Sequence, residues 1–316
     1  MKLSIIVCTR NRARAILPCL DSIAAALTHA AQIDAEIIVV DNGSQDDTAA
    51  IVRKWIDTCV FPARLLQEPR KGVSRARNLA LREARGDLLA IIDDDCRLSR
   101  EYVTDLLRHD AEDTEPVLRS GCVKLGDLED LPLTITFLTR LTRWHKKFDS
   151  ARHENLGNCL LGCNMMMRRS LATHIGLFDE RLGPGSPFYA AEDTDYVLRA
   201  YLNDITIEYV PDMVVFHHHG RKLPAEGKKL YRGYMISCGA LYAKYMFAKP
   251  DFCRPLYWDA KNAVAEIFSG TNTFLPFIGF SHKDKFIYSL WGALKFWLMQ
   301  MTFLHRTKAP ADTSHA

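Results

Sequence analysis

The residues able to do chemistry in this chain are mostly carboxylates. Leu88-Leu89-Ala90-Ile91-Ile92 is an apolar run of strand length, and it ends in Asp93-Asp94-Asp95. A continuous apolar strand belongs inside a sheet with both faces covered. Chemistry in such sheets collects beyond the carboxyl ends of the strands. Three ionised acids at that point repel one another and call for a cation. A second acidic centre, Ala191-Glu192-Asp193-Thr194-Asp195, heads a helical pattern over Tyr196 to Leu202. An acid at a helix start is stabilised as its anion, so capping competes with catalysis as its reason for being there. A third cluster, His217-His218-His219, closes a short apolar segment, Met213 to Phe216. On an extended chain His217 and His219 share a face and His218 takes the other. Carboxylate and imidazole donors together suit a divalent ion of the manganese or magnesium kind. A tetrahedral zinc site is the weaker reading, because no C-x-x-C pair or second ligand pair has its usual spacing.

Joined together, these groups describe one reaction. A metal would neutralise a diphosphate leaving group. A separate carboxylate would take the proton from an attacking hydroxyl. This is the logic of sugar transfer from a nucleotide-diphosphate donor by a single displacement, which inverts the anomeric centre. A glycosidase uses two carboxylates flanking the bond and no metal on the leaving group, so it explains the Asp triplet poorly.

The elements that must position these groups follow an α/β alternation. Strands are expected at Ile5–Cys8, Glu36–Val40 and Arg64–Gln67, with helical spacing over Ala15–Leu27, Asp46–Ile56 and from Gly72 to about Gly86. Such alternation reads as a Rossmann-like, mostly parallel sheet with flanking helices. None of the strand-to-helix turns is a G-x-G-x-x-G or Walker loop, which removes the nicotinamide and ATPase readings. Arg10, Arg12, Arg70, Lys71, Arg75 and Arg77 lie near strand ends and could meet a diphosphate. Arg75 and Arg77 are two apart, so at most one should point into the cleft. Further on come a helix over Arg100–Arg108, a strand over Val117–Lys124, and a helical insertion over 127–152 on the spacing of Leu131, Ile135, Leu138 and Leu141. Strands at Leu160–Met167, Ile205–Val210 and Met213–Phe216 follow, the last two separated by a turn at Pro211-Asp212.

A length of 316 residues allows one large domain with an appendage. The domains expected are a catalytic 1–225, divided into a nucleotide half 1–125 and an acceptor half 126–225, a helical 226–308, and a disordered 309–316. A net charge of +3 gives no nucleic-acid footprint. Nine scattered cysteines and an opening that reads as a first strand argue for reduced thiols and a cytoplasmic setting. The segment Phe286–Phe303 combines bulky apolar residues and aromatics with Lys283, Lys285, Lys295 and Arg306 around them. Interfacial helices have this composition. The alternatives are a buried helix or a homo-oligomer contact, and membrane attachment would be peripheral.

The ordered motifs resemble the family 2 glycosyltransferases, inverting enzymes of the GT-A fold. Ser4-Ile5-Ile6-Val7-Cys8-Thr9-Arg10-Asn11-Arg12 is similar to their first strand and nucleotide loop, and Ile38 to Ser44 to their second strand. Gly72-Val73-Ser74-Arg75-Ala76-Arg77-Asn78 matches a G-x-S-x-A-R-N segment. Gly162-Cys163-Asn164 followed by Arg168-Arg169 resembles the acceptor-side strand, Gly176-Leu177-Phe178-Asp179-Glu180 and Glu192-Asp193-Thr194-Asp195 match the G-x-F-D-E and E-D motifs, and Val215-Phe216-His217 sits where many members supply a metal-binding His. The resemblance implies a nucleotide-sugar donor, most simply a UDP-sugar, contacted by Thr9, Arg10, Asn11, Asp41, Arg75, Arg77, Asn78, Asp93 and Asp94. It implies Mn2+ or Mg2+ on Asp95 with His217 or His219, and Asp193 as base with Glu192 beside it. It implies a glycan or lipid-linked acceptor at the cytoplasmic face of an inner membrane. A sugar nucleotidyltransferase is the alternative enzyme, but the turn after the first strand lacks its Gly-rich loop. An inactive carbohydrate-binding or scaffold protein is the alternative outside catalysis.

Overall fold

A computed structural model describes residues 2–30, 33–145 and 160–308, with side chains described for 3–30, 33–145 and 160–302. The chain divides into two compact units, Met1–Pro187 with Ala191–Leu223, and Phe188–Ala190 with Pro224–Ala316.

The first unit is built on one sheet. β1 (Lys2–Thr9), β2 (Asp34–Asp41), β3 (Ala63–Gln67) and β4 (Leu88–Asp93) run parallel in the order β3-β2-β1-β4. Three helices make the crossovers: α1 (Ile16–His29), α2 (Thr48–Thr58) and α3 (Val73–Glu83). Successive strand residues face opposite sides, so Leu3, Ile5 and Val7 enter the core beneath α1 while Ile6, Ile38 and Val40 pack with Ala76 and Ala80 of α3. Register aligns the strand ends: Thr9 pairs with Asp41, Asp41 with Gln67, and Cys8 with Asp93. Residues more than 80 positions apart in the sequence therefore share one rim.

Beyond β4 the sheet becomes mixed. β5 (Cys96–Leu98), α4 (Tyr102–Glu112), β6 (Val117–Leu125), β7 (Thr142–Trp144), β8 (Asn164–Arg168), α5 (Arg169–Ile175), α6 (Glu192–Leu202) and β9 (Thr206–His217) complete the unit. β8 lies antiparallel between β4 and β6, β9 runs parallel to β6, and β5 and β7 pair with the two ends of β9. The turn expected at Pro211-Asp212 is instead a bulge within continuous β9. Gly121 pairs with Val210 and Cys122 with Val214, so the ladder skips Pro211 to Met213. A bulge accommodates a proline that has no N–H for the ladder. The opposing Gly121 is required, because a Cβ there would stand 2.1 Å from the Met213 carbonyl oxygen.

The helical insertion expected over 127–152 is not helical in its described part. Turns and irregular chain run through residues 127–141, and β7 follows. Pro132 would lie inside the expected helix, where it removes a backbone hydrogen bond and clashes with the preceding turn, and Thr134, Ile135 and Thr136 are β-branched residues that disfavour one. The segment bonds instead to its neighbours: Leu131 N–H donates to the Arg221 carbonyl and Thr136 N–H to that of Val123. Residues 146–152 of the insertion and the tail 309–316 lie outside the described residues.

The second unit contains α7 (Pro224–Tyr245), α8 (Arg254–Ser269) and α9 (His282–Lys308). α9 exposes Ile287, Leu290, Trp291, Leu294, Leu298 and Met301 at helical spacing, and α8 exposes Tyr257, Trp258 and Phe268. Lys295, which interrupts the apolar pattern of α9, places its ammonium 5.0 Å from the Phe188 ring centre and 5.2 Å from that of Tyr189. No helix of the described residues is long and apolar enough to cross a membrane.

Asn164 braces the mixed half of the sheet. It is fully buried, donates to the Met213 carbonyl (2.9 Å) and to that of Cys122 (3.3 Å), and accepts from the Tyr102 hydroxyl (2.7 Å). Asn164→Leu strands those groups away from water and should destabilise the protein by about 2–4 kcal/mol. A urea midpoint unchanged from that of the parent would contradict this bracing role.

Candidate active site

At the rim, the loops after β1 and β2 are cross-linked. Asn11 N–H donates to the Ser44 hydroxyl, and the Asn11 amide oxygen accepts from Gln45 N–H. Arg10 donates to the Asn42 carbonyl at 2.8 Å. Buried Asn42 joins three loops by donating to the Glu68 and Arg70 carbonyls and accepting from Gly72 N–H. Asp41 accepts from Ser44 N–H, which closes the turn in which it sits. Thr9 is buried at the end of β1. These residues form a hydrogen-bonded floor beside the tip of β4.

The three acids at that tip have different partners. Arg12 reaches both Asp94 (3.2 Å) and Asp95 (2.9 Å). Asp95 also faces His217 Nε2 at 3.3 Å, while His217 Nδ1 donates to the Thr134 carbonyl at 3.2 Å. Burial alone would push the His217 imidazole down, but Asp95 and Thr134 lift it to about 9. Burial pushes the Asp95 carboxyl up, and His217 and Arg12 more than reverse it, leaving the acid below its ordinary value. Asp94 is pushed up to about 6 by burial, against the pull of Arg12. His219 is turned elsewhere. Its Nε2 donates to the Leu131 carbonyl and its Nδ1 accepts from Arg221 N–H. Of the two candidate imidazoles, His217 is the one that meets the acid tip.

Asp93 belongs to a second cation. The Arg77 side chain, 2% exposed, donates to Asp93 and to Glu192 at 2.9 Å each. Its guanidinium also lies 5.5 Å from the Phe178 ring centre. Arg75, two residues earlier, points away and pairs with Glu180 at 3.4 Å. One guanidinium thus joins the end of β4 to the first turn of α6, and its bond to Glu192 spans 115 residues of sequence. Burial and neighbouring Asp193 push the Glu192 carboxyl up to about 7, with Arg77 pulling back. Asp193 turns to the other side, accepting from Gly162 N–H (2.9 Å) and Thr194 N–H (2.7 Å). Gly162 has no room for a side chain, since a Cβ would lie 2.8 Å from that of Asp193 and 3.2 Å from Arg77 Nη1. Asn78 was expected at the donor. It is buried and uses both amide atoms on the Phe178 backbone, anchoring the turn whose ring covers Arg77.

The site has two residues whose importance the motifs did not assign. Arg12 was expected only as one of several basic residues near strand ends that could meet a diphosphate, and nothing in the motif announced its pairing with Asp94 and Asp95. Thr134 lies in a segment read as helix and carried no signal. The arrangement can hold an anion over a basic, hydrogen-bonded floor, gather a cation at Asp95 and His217, and present Asp193 nearby as a proton acceptor.

A parallel nucleotide-type half sheet followed by a mixed half, with acids at the end of the fourth strand, defines the GT-A class of fold. Two solved structures share this plan. S. aureus TarS 1–349 in complex with UDP-GlcNAc is 18% identical, with a TM-score of 0.55 and coverage of 95% of this chain and 92% of that one. The mannosyltransferase PcManGT from Pyrobaculum calidifontis, in complex with GDP-Man and Mn2+, is 19% identical, with a TM-score of 0.54 and coverage of 98% and 76%. Residues 4–175, more than half of the chain, match the family model described as glycosyl transferase family 2. The chain belongs to that family. Among curated relatives, the succinoglycan biosynthesis protein ExoM of Rhizobium meliloti is 28% identical over 56% of this chain and 54% of its own length. An N-acetylglucosaminyltransferase of Sinorhizobium fredii is 27% identical over 66% of this chain and 51% of its own. The glycosyltransferase AglE of Haloferax volcanii is 30% identical over 32% of each chain. The chain thus spans between a third and about half of the length of these relatives.

Arg77→Met removes the cation from two acids and should cost about 3–5 kcal/mol at pH 8, read from urea denaturation. The Glu192 pKa lies above its ordinary 4.5 in the folded state, so folding takes up a proton between about 4.5 and 7. Stability from this group is present at low pH and falls as pH rises through that window. Glu192→Gln should remove that slope. Parallel stability–pH curves for parent and variant would show that Glu192 does not carry it.

Proposed function

We propose that the protein is a metal-assisted inverting glycosyltransferase that moves a sugar from a nucleotide diphosphate to a hydroxyl of a glycan or lipid-linked acceptor. The observation that carries this reading is the Arg77 bridge, which brings the acid tip of β4 and the Glu192-Asp193 turn to one place. The donor would lie over the floor made by Thr9, Arg10, Asn11 and Asp41. Asp193 would accept the proton of the attacking hydroxyl, a role worth ~10²–10⁴-fold in rate. Glu192 and Arg77 would fix the turn that carries it. Asp95 and His217 suit a hard divalent ion, since carboxylate oxygen and imidazole nitrogen converge there and Thr134 orients the ring. Bound at that point, Mn2+ or Mg2+ would supply charge neutralisation for a departing diphosphate. The related structures contain UDP-GlcNAc in one case and GDP-Man with Mn2+ in the other. They support a nucleotide-sugar donor and leave UDP as our preferred base. Polysaccharide assembly at the cytoplasmic membrane face fits the relative described as a succinoglycan biosynthesis protein.

A thermal-shift screen of UDP-, GDP- and dTDP-sugars with Mn2+ should identify the donor. With that donor, Asp193→Asn should lower turnover by ~10²-fold or more while nucleotide affinity stays unchanged. Asp95→Ala should abolish the manganese dependence of nucleotide binding. Near-parental turnover in Asp193→Asn would refute the base assignment, and unaltered metal dependence in Asp95→Ala the cation assignment.

The exposed apolar stripe of α9 is proposed to rest on a membrane surface, with pairing to a second copy as the alternative. The parent should float with phosphatidylglycerol–phosphatidylethanolamine vesicles, and Trp291→Ser with Leu294→Ser should not. Equal flotation of both proteins would exclude this face, and a dimer in lipid-free solution lost in the variant would favour pairing.

A further inference from the structure

We propose that Cys96, Cys163 and His217 form a second cation site, distinct in chemistry from the carboxylate site, that takes a tetrahedral thiophilic ion of the zinc type. One ligand atom from each of the three residues lies within 4.8 Å of the others, and all three residues are buried. The sequence has no zinc-type spacing, and the fold supplies the grouping instead. Cys96 on β5 is the register partner of His217 on β9, so their side chains leave the sheet on the same face. Cys163 immediately precedes β8 and belongs to the same core. Tetrahedral zinc, with Zn–S about 2.3 Å and Zn–N about 2.0 Å, needs its ligand atoms roughly 3.5–3.8 Å apart. A closing movement of about an ångström meets that requirement. A bound water would complete the tetrahedral shell.

Two sulfur donors and an imidazole select zinc, cadmium or cobalt over magnesium and manganese. The thiols bind as thiolates, so each ion forms two metal–sulfur bonds and releases the two thiol protons to solvent. The imidazole is common to both sites, and an ion held by the cysteines takes His217 away from Asp95. That last consequence rests on the function proposed above, whereas binding itself does not.

The test uses the full chain, reduced and freed of metal by a chelator. Titration with Co2+ should produce one thiolate-to-cobalt charge-transfer band per chain, displaced by one equivalent of Zn2+. X-ray absorption of the zinc-loaded protein should show two sulfurs and at least one imidazole around the ion. The band should disappear in Cys96→Ala and Cys163→Ala, and bleached spectra in His217→Asn should return at higher cobalt concentration. A zinc shell of nitrogen and oxygen alone would overturn the proposal in the parent protein, even if the cysteine variants fail to fold. So would a charge-transfer band that survives in both cysteine variants, because other thiols would then be the ligands. If both arms succeed while zinc leaves manganese-supported transfer unaffected, the thiolate site stands and the shared-histidine consequence fails.

Discussion

The site depends on one buried guanidinium. Desolvating a charge costs several kcal/mol, and a buried carboxylate is tolerated only with a cation and good hydrogen bonds. Arg77 meets that condition for two acids at once, with Asp93 and Glu192 each at 2.9 Å and the Phe178 ring against it. A planar fork with several donors suits this arrangement, whereas a lysine would present one point charge. Helix α3 can deliver Arg77 because its buried face is otherwise small and polar, with Ser74, Ala76, Asn78 and Ala80. One positive charge between two acids cannot neutralise both. Asp93 remains part-exposed, and fully enclosed Glu192 is the acid pushed toward its neutral form.

The remaining acids are handled by two other cations of a different kind. Asp94 and Asp95 share Arg12, whose side chain is 39% exposed and can leave toward solvent at little cost. Asp95 also has His217, a partner able to exchange a proton for a metal ion. The triplet at the end of β4 is therefore asymmetric. Its first acid is bound to a fixed cation that belongs to the architecture. Its last is bound to two replaceable ones, which is where an exchangeable ion has an opening.

Much of this was legible from residue type. The acid-tipped strand, the strand ends at Thr9 and Asp41, and the inward turn of only one of Arg75 and Arg77 follow from pattern, period and strand direction. Four things did not. The stretch from Asp127 has helical apolar spacing, but Pro132 and a β-branched run override it, and no periodicity announces that Thr134 will orient His217. Pro211 reads as a turn because local rules cannot see Gly121 opposite, which lets β9 continue through a bulge. Arg77 and Asn78 look like donor contacts because their motif is basic and polar. Only tertiary contacts across 100 residues or more reveal them as internal braces. The cysteine pair was invisible for the same reason, since its spacing is a property of the sheet.

Two neighbouring acids on α6 have separate surroundings because of how the chain enters the helix. Ala191 precedes it in the left-handed region, at φ 71°, a conformation that costs a non-glycine residue roughly 1–2 kcal/mol. Glycine would relieve that strain, and local packing preferences alone give no reason to keep it. The turn sends Glu192 inward to Arg77 and leaves Asp193 against the Gly162 N–H, where the missing side chain makes room. A relaxed entry would rotate the first turn and exchange these environments or blur them. Strain of this kind persists where surrounding contacts over-determine the backbone. Here those contacts are the Arg77 bridge on one side and the Gly162 bond on the other. The same buried cation that joins the two acid motifs thus also holds the distorted turn that keeps their two acids distinct.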